Sequence, residues 1–162
     1  ETHLSNREEK EKYILTYFLC EPSEDIWNKI SFLANTKKLK IIQVMGDSYQ
    51  YDKYIFDPFE FVNKIKNAEY VFTDSFHGTV FSIIMNTKFF VTRRPDKREM
   101  FSRIENLINT FGLEEVVLEN CQDPLSIEYA FGKVNDILLT ERVRGKKIIE
   151  EEILNNILET KK

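Results

Sequence analysis

Short apolar runs alternate with longer amphipathic segments along this chain, and the alternation predicts strands separated by helices. The runs have few polar interruptions and contain many β-branched and aromatic residues; they occupy positions 13–20, 39–45, 70–73, 89–92 and 115–118. Such runs are typical of parallel strands that are covered on both faces. Helical spacing of apolar residues predicts the intervening helices, among them 78–85 and 98–110. We therefore predict a Rossmann-like parallel sheet of about five strands, in the order 3-2-1-4-5, with helices on both faces.

The ends of the chain differ in character from this alternating middle. Residues 1–12 are polar and charged without periodicity, which indicates a linker or a disordered end. Residues 13–140 form the predicted Rossmann-like domain, and its last helix is predicted to begin at Pro124. A basic hinge around Gly145 then leads to an amphipathic helix within 141–162. The long segment 46–57, with Tyr49, Tyr51 and Tyr54, is interpreted as a loop, more readily a surface loop anchored by tyrosines than an active-site loop.

Composition and charge narrow the class of protein. The formal net charge of −4 over 162 residues provides no basic surface for nucleic acid. Cys20 and Cys121 lie far apart with no metal-ligand spacing, so buried or free thiols in a reducing compartment are expected. No apolar run is long enough for a transmembrane segment, and no signal peptide is recognisable. Because the sequence begins at Glu1, we expect it to be a piece of a longer protein.

The turn between the strand at 70–73 and the following helix carries the main candidate chemistry. Asp74, Ser75 and His77 lie at the carboxyl end of a strand, where ligands bind in open α/β sheets. Asp74 or Ser75 would serve equally well as a helix N-cap. The amides of Gly78 and Thr79, at the predicted helix start, would suit phosphate. His77 is the candidate catalytic residue, because imidazole exchanges protons near neutral pH.

Two arginines follow the next strand. Arg93 and Arg94 come directly after 89–92, so a parallel sheet would bring them to the same edge as His77. Guanidinium groups bind carboxylate and phosphate in a planar, bidentate manner. The alternative interpretation, solvated or salt-bridged arginines, is nearly as well supported by the sequence.

The sequence TDSFHGTVFSII at 73–84, followed by NTKFF at 86–90, SRIENLI at 102–108 and FGL at 111–113, resembles the polysaccharide pyruvyl transferase family. The resemblance runs roughly over 13–134 and matches the family's C-terminal half. Better-characterised branches have Arg-Leu-His where this chain has Ser75, Phe76 and His77, and their Arg and His are thought to hold the donor's phosphate or carboxylate. Ser102 and Arg103 match residues that help to shape the pocket rim, although structural roles are favoured for both.

The resemblance implies one half of a two-domain, glycosyltransferase-B-like enzyme. Such an enzyme would transfer the enolpyruvyl group of phosphoenolpyruvate to a sugar hydroxyl, in exopolysaccharide or capsule synthesis on the cytoplasmic side of a bacterial membrane. His77 would act on the donor, with Asp74, Ser75, Gly78, Thr79, Arg93 and Arg94 around it. The implied partners are an anionic donor, a saccharide acceptor and an N-terminal domain outside this chain; no cofactor or metal is expected. We expect the chain alone to be inactive.

Two other functions fit parts of the pattern. Ser75 in place of Arg leaves room for a glycosyltransferase domain that uses a nucleotide-activated sugar on the same scaffold. A signalling receiver domain would place a phosphoacceptor aspartate where Asp74 ends its strand. That second alternative is disfavoured, because Glu21 and Glu24 form a poor acidic pair and no lysine follows the strand at 115–118.

Overall fold

The computed structural model describes residues 12–44, 52–54, 57–94 and 98–159. Its centre is a five-stranded sheet in which every neighbouring pair is parallel, in the order β3-β2-β1-β4-β5. The strands are β1 Tyr13–Tyr17, β2 Lys40–Val44, β3 Asp52–Tyr54, β4 Tyr70–Thr73 and β5 Phe89–Val91. The predicted class, a Rossmann-like parallel α/β sheet with helices around it, is confirmed.

Within the described residues, five helices cover the two faces of this sheet. They are α1 Glu24–Lys37, α2 Pro58–Asn67, α3 Phe76–Ile84, α4 Arg98–Phe111 and α5 Phe131–Glu159. On one face α1 packs its buried residues against alternate strand residues such as Ile14, Phe72 and Phe90. On the other face α2, α3, α4 and the start of α5 cover Leu15, Val71 and Phe89. Because both faces are covered, the central strands are apolar at nearly every position.

The identity of the outer strands differs from the prediction. We expected the strand at 70–73 to lie beside β2, but it pairs with β1, and the place beside β2 is taken by Asp52–Tyr54 from the predicted loop. The predicted fifth strand, 115–118, is a 3-10 turn, Glu114–Val116, followed by a single bridge from Val117 to Val91. Asp52–Tyr54 lies at the edge of the sheet and lacks the apolar run on which the strand predictions rested, whereas 115–118 has such a run but meets β5 only at Val117.

Several strands and helices also begin or end at residues other than the predicted ones, for local reasons. β1 ends at Tyr17 instead of residue 20, and α3 begins at Phe76 instead of Gly78, because Ser75 is its N-cap. The two closing helices are one helix, α5, which begins at Phe131 and runs through Gly145. A helix-interior glycine costs only about 1 kcal/mol relative to alanine, and charged helix formers flank this one. Tyr49 and Tyr51 lie outside the described residues.

The outer edge of β5 is closed by a tyrosine hydroxyl. Tyr129 Oη accepts a hydrogen bond from the Phe89 amide at 3.1 Å and donates one to the Phe89 carbonyl oxygen. Farther along the same edge, the Leu118 amide donates to the Val91 carbonyl oxygen at 2.9 Å. Burial raises the pKa of Tyr129 well above its usual value, so the hydroxyl keeps its proton and fills both roles.

Replacing Tyr129 with phenylalanine is expected to lower the free energy of unfolding by about 2 kcal/mol. The substitution leaves the amide and the carbonyl oxygen of the buried Phe89 without the tyrosine hydroxyl as a partner. Tyr13→Phe is a matched control, since the Tyr13 hydroxyl makes one hydrogen bond, to the Lys64 carbonyl oxygen at 2.7 Å. We expect about 1 kcal/mol there. Urea denaturation followed by circular dichroism measures both values, and equal losses would show that closing the β5 edge contributes little.

None of the helices within the described residues is both long and apolar enough to cross a membrane.

Candidate functional site

The sheet has a crevice where β1 and β4 lie side by side. The chain leaves β1 toward α1 on one face and leaves β4 toward α3 on the opposite face. At such a topological switch point the two connections diverge, and ligands of open α/β proteins bind in the opening beyond the carboxyl ends of the strands. The candidate residues of the sequence lie around this opening.

A buried carboxylate forms the floor of the crevice. Asp74, whose side chain is 1% exposed, accepts hydrogen bonds from the amides of Leu19 at 2.7 Å and Cys20 at 3.1 Å. Arg94 Nε donates to Asp74 Oδ2 at 2.9 Å, and Arg94 Nη2 donates to the Asp74 carbonyl oxygen at 3.0 Å. Asp74 therefore connects the segments that follow β1, β4 and β5.

These contacts give structural roles to two of the predicted site residues, Asp74 and Ser75. Asp74 is neither an N-cap nor an exposed ligand group, since its carboxylate is occupied by Leu19, Cys20 and Arg94. A phosphoacceptor aspartate must be accessible, so this burial also disfavours the receiver alternative. Ser75 is the N-cap of α3: its Oγ accepts from the Gly78 amide at 3.5 Å.

The first turn of α3 lies very close to β4. Thr73 Oγ1 donates to the Tyr17 carbonyl oxygen at 2.6 Å and accepts from the Ser75 amide at 3.0 Å. A Cβ atom added to Gly78 would lie 2.6 Å from the same Oγ1 atom. Only glycine fits between helix and strand at this contact, which explains the glycine that follows His77.

The four amides at the start of α3 differ in whether they have a hydrogen-bond acceptor within the helix or its N-cap. The amides of Gly78 and Thr79, the predicted phosphate donors, are both engaged by Ser75: the first by Oγ, and the second by the carbonyl oxygen at 3.0 Å. The amides of Phe76 and His77 belong to the first turn and have no acceptor within the helix. His77 is exposed, with its ring centre 6.0 Å from that of Phe76 in an edge-to-face arrangement.

Arg93 and Arg94 lie at the predicted edge, but both interact with acids of the protein. Arg94 is 10% exposed and pairs with Asp74. The Arg93 guanidinium lies 4.9 Å from the Phe101 ring centre and 3.9 Å from Glu105 Oε1. The Arg93 amide donates to Glu119 Oε1 at 2.6 Å. The structure thus brings the two arginines to the crevice and commits much of their charge to internal pairs.

A cavity of about 130 Å³ lies on the α1 side of the crevice. Arg93 and Arg94 contribute to its wall, together with four acidic residues, Glu21, Asp25, Asp74 and Glu119. His77 is not part of this wall. The crevice therefore has two sides of different character: an acid-rich cavity beside α1, and an exposed histidine beside α3.

Arg103 matches a pocket-rim residue in the family resemblance, although the sequence favoured a structural role for it. Arg103 of α4 places its guanidinium carbon 4.3 Å from the centre of the Phe76 ring. The position of Arg103 in an amphipathic helix gave no sign of this contact, because Arg103 lies 27 residues beyond Phe76 in the chain. Within the described residues, no three His, Cys, Asp or Glu side chains group as a metal site would require.

The fold is a Rossmann-like α/β domain with a crevice at its topological switch point. The sequence model of the family described as polysaccharide pyruvyl transferase matches residues 4–94, which is more than half of the chain. The chain therefore belongs to the polysaccharide pyruvyl transferase family, a family of transferases. The matched segment contains the crevice residues from the end of β1 to Arg94. No curated protein matches the chain.

Among solved structures, the chain is similar to a protein from Listeria monocytogenes assigned as a UDP-N-acetylglucosamine 2-epimerase. The sequence identity is 16% and the TM-score is 0.40; the match covers 79% of this chain and 43% of that protein. This chain thus spans less than half the length of that protein.

Proposed function

We propose that this chain is the donor-binding part of an enzyme that transfers a pyruvyl group from phosphoenolpyruvate to a sugar. The observation that carries the proposal is the family match over residues 4–94, which includes His77 and the whole turn from β4 to α3. The exposed imidazole at the mouth of a switch-point crevice supports the same function.

The proposed reaction makes a ketal at C2 of the donor. Two C–O bonds form between C2 and two sugar hydroxyl oxygens, and the bond from C2 to the phosphate oxygen breaks. One hydroxyl proton reaches C3, which becomes a methyl group, and the other leaves with phosphate. The protein must therefore hold a highly anionic donor, supply a proton at C3 and stabilise the departing phosphate.

His77 has the position and chemistry for one of these tasks. Its side chain is exposed at the crevice, and its own amide belongs to the first turn of α3, where the helix dipole favours an anion. We propose that the imidazole binds the donor's phosphate or carboxylate, or delivers the proton to the enol ether.

Asp74 and Arg94 are proposed to act on the donor indirectly. Their buried pair holds the segments after β1, β4 and β5 in one arrangement, and so fixes where α3 and His77 lie. Groups that bind the saccharide acceptor are expected from a domain outside this chain, so we expect this chain alone to bind the donor without turnover. Family membership further supports a role in surface or exported polysaccharide synthesis, at the cytoplasmic side of a membrane.

An NMR titration tests the donor assignment. The chain has two histidines, His3 and His77, so two sets of imidazole resonances report on binding. Phosphoenolpyruvate is expected to shift the His77 resonances in a saturable way, and His77→Ala is expected to weaken binding at least about tenfold, the loss of one charge-assisted hydrogen bond. His3→Ala is the matched control and should leave the affinity unchanged.

A parallel titration with uridine diphosphate distinguishes the second function. A response to the nucleotide without a response to phosphoenolpyruvate would contradict the pyruvyl donor and favour glycosyl transfer on the same scaffold. Binding of phosphoenolpyruvate that survives His77→Ala unchanged would remove His77 from the site.

A further inference from the structure

We propose that Arg103 is a donor-binding residue whose guanidinium group, beside His77, binds the donor's phosphate. This inference rests on the function proposed above and deepens it, because it names the cation that the site presents to a dianionic ligand.

The Arg103 guanidinium and the His77 imidazole both lie near the Phe76 ring. The Arg103 guanidinium carbon lies 4.3 Å from the centre of the Phe76 ring, and the His77 ring centre lies 6.0 Å from the same point. The two groups are therefore at most about 10 Å apart, a separation that one phosphate between them and a change of arginine rotamer can bridge. Both residues are exposed.

The positive charges of Arg93, Arg94 and Arg103 have different partners in the structure. Arg94 pairs with Asp74 at 2.9 Å, and Arg93 lies 3.9 Å from Glu105. Arg103 makes no ion pair with any carboxylate among the residues that the structure describes. Its positive charge is consequently available to a ligand, whereas that of Arg94 stabilises a protein carboxylate.

The contact with Phe76 orients the guanidinium without using its donors. An arginine over an aromatic ring interacts through its charge and flat face, and its N–H groups remain able to bind at the edge. Those donors match the oxygen atoms of a phosphate in a bidentate manner. Phe76 thus holds Arg103 beside His77, and the neighbouring Ser75 is buried as the N-cap and adds no charge.

The test compares four forms of the full chain: wild type, Arg103→Met, Arg103→Lys and Arg142→Met. Methionine keeps an apolar stem against Phe76 and removes the charge; lysine keeps the charge and loses the planar fork. Arg142 is an exposed arginine of α5 and serves as the matched control. Affinities for phosphoenolpyruvate and for inorganic phosphate are measured by calorimetry, with the amide resonances of residues 76–78 as a local report. Arg103→Gln replaces the methionine variant if that variant does not fold.

We expect Arg103→Met to weaken phosphoenolpyruvate binding at least about tenfold, with partial recovery in Arg103→Lys and no change in Arg142→Met. In a merely structural role the apolar stem would matter and the charge would not, so Arg103→Met, which keeps a stem against Phe76, would bind phosphoenolpyruvate as the wild type does. Equal affinity of wild type and Arg103→Met would overturn the inference and leave the donor assignment standing.

A wild-type chain that does not bind phosphoenolpyruvate would overturn the proposed function. The titration with inorganic phosphate would then test separately whether Arg103 binds a phosphate group. A shift of the 76–78 amides with phosphate that disappears in Arg103→Met would still support a phosphate site there. Absence of that shift in the wild type would overturn the inference as well.

Discussion

Replacing Asp74 with alanine is expected to lower the free energy of unfolding by about 3–5 kcal/mol, the usual cost of removing one partner of a buried ion pair. The substitution removes the carboxylate beside the nearly buried Arg94 guanidinium and takes the acceptor from two amides, those of Leu19 and Cys20. Small domains are stable by about 5–15 kcal/mol, so a large share of the total would be lost. Urea denaturation followed by circular dichroism measures the change.

Two further variants separate the charge of Asp74 from its shape, and a third serves as a control. Asp74→Asn keeps an acceptor oxygen and should fall between wild type and alanine. The double variant Asp74→Ala with Arg94→Met should recover part of the loss, because an apolar pair needs no compensation inside a protein. Glu151→Ala is the control, since its pair with Lys147 is exposed and 3.8 Å long, and about 0.5 kcal/mol or less is expected. A loss below about 1 kcal/mol in Asp74→Ala would contradict the central role given to this carboxylate.

The sequence was sufficient for the parts of the fold that apolar burial determines. β1, β2 and β4 are largely buried, and their apolar runs, which have few polar interruptions, located them. Asp52–Tyr54, by contrast, is an edge strand of three residues with two charges, and no periodicity distinguishes such a strand from a loop. The segment at 115–118 had an apolar run but meets β5 only at Val117.

The candidate site could be located from the sequence but not resolved in detail. A strand followed by small polar residues and a helix gave the position of Asp74, Ser75 and His77, because this arrangement depends on neighbours in the chain. The pairing of Asp74 with Arg94 and the contact of Arg103 with Phe76 depend on which loops meet in space. Spacing along a single sequence carries no information on such contacts, so it left the ligand-facing and salt-bridged interpretations of Arg93 and Arg94 nearly level. The structure pairs these arginines with Glu105 and Asp74.

Gly78→Ala is expected to lower the free energy of unfolding by about 3 kcal/mol, at the upper end of what overpacking costs. The new methyl group would lie 2.6 Å from Thr73 Oγ1 and 3.2 Å from Thr73 Cβ. Thr73 has little freedom to move, because Oγ1 is hydrogen-bonded to the Tyr17 carbonyl oxygen and the Ser75 amide. The first turn of α3 must shift instead, and His77 with it, so the variant should also weaken phosphoenolpyruvate binding. Urea denaturation and the titration of the imidazole resonances measure the two effects.

The same substitution elsewhere in the chain supplies the control with the opposite sign. Nothing lies within 4 Å of a Cβ atom built on Gly145 of α5, so Gly145→Ala should stabilise the chain by up to about 1 kcal/mol through helix propensity. Combining Gly78→Ala with Thr73→Ala removes the closest atom of the clash, and the double variant should be more stable than the sum of the two single changes predicts, by about 1 kcal/mol. If Gly78→Ala instead stabilised the chain as Gly145→Ala does, α3 would not be held against β4 at this distance, and the position of His77 would not depend on that contact.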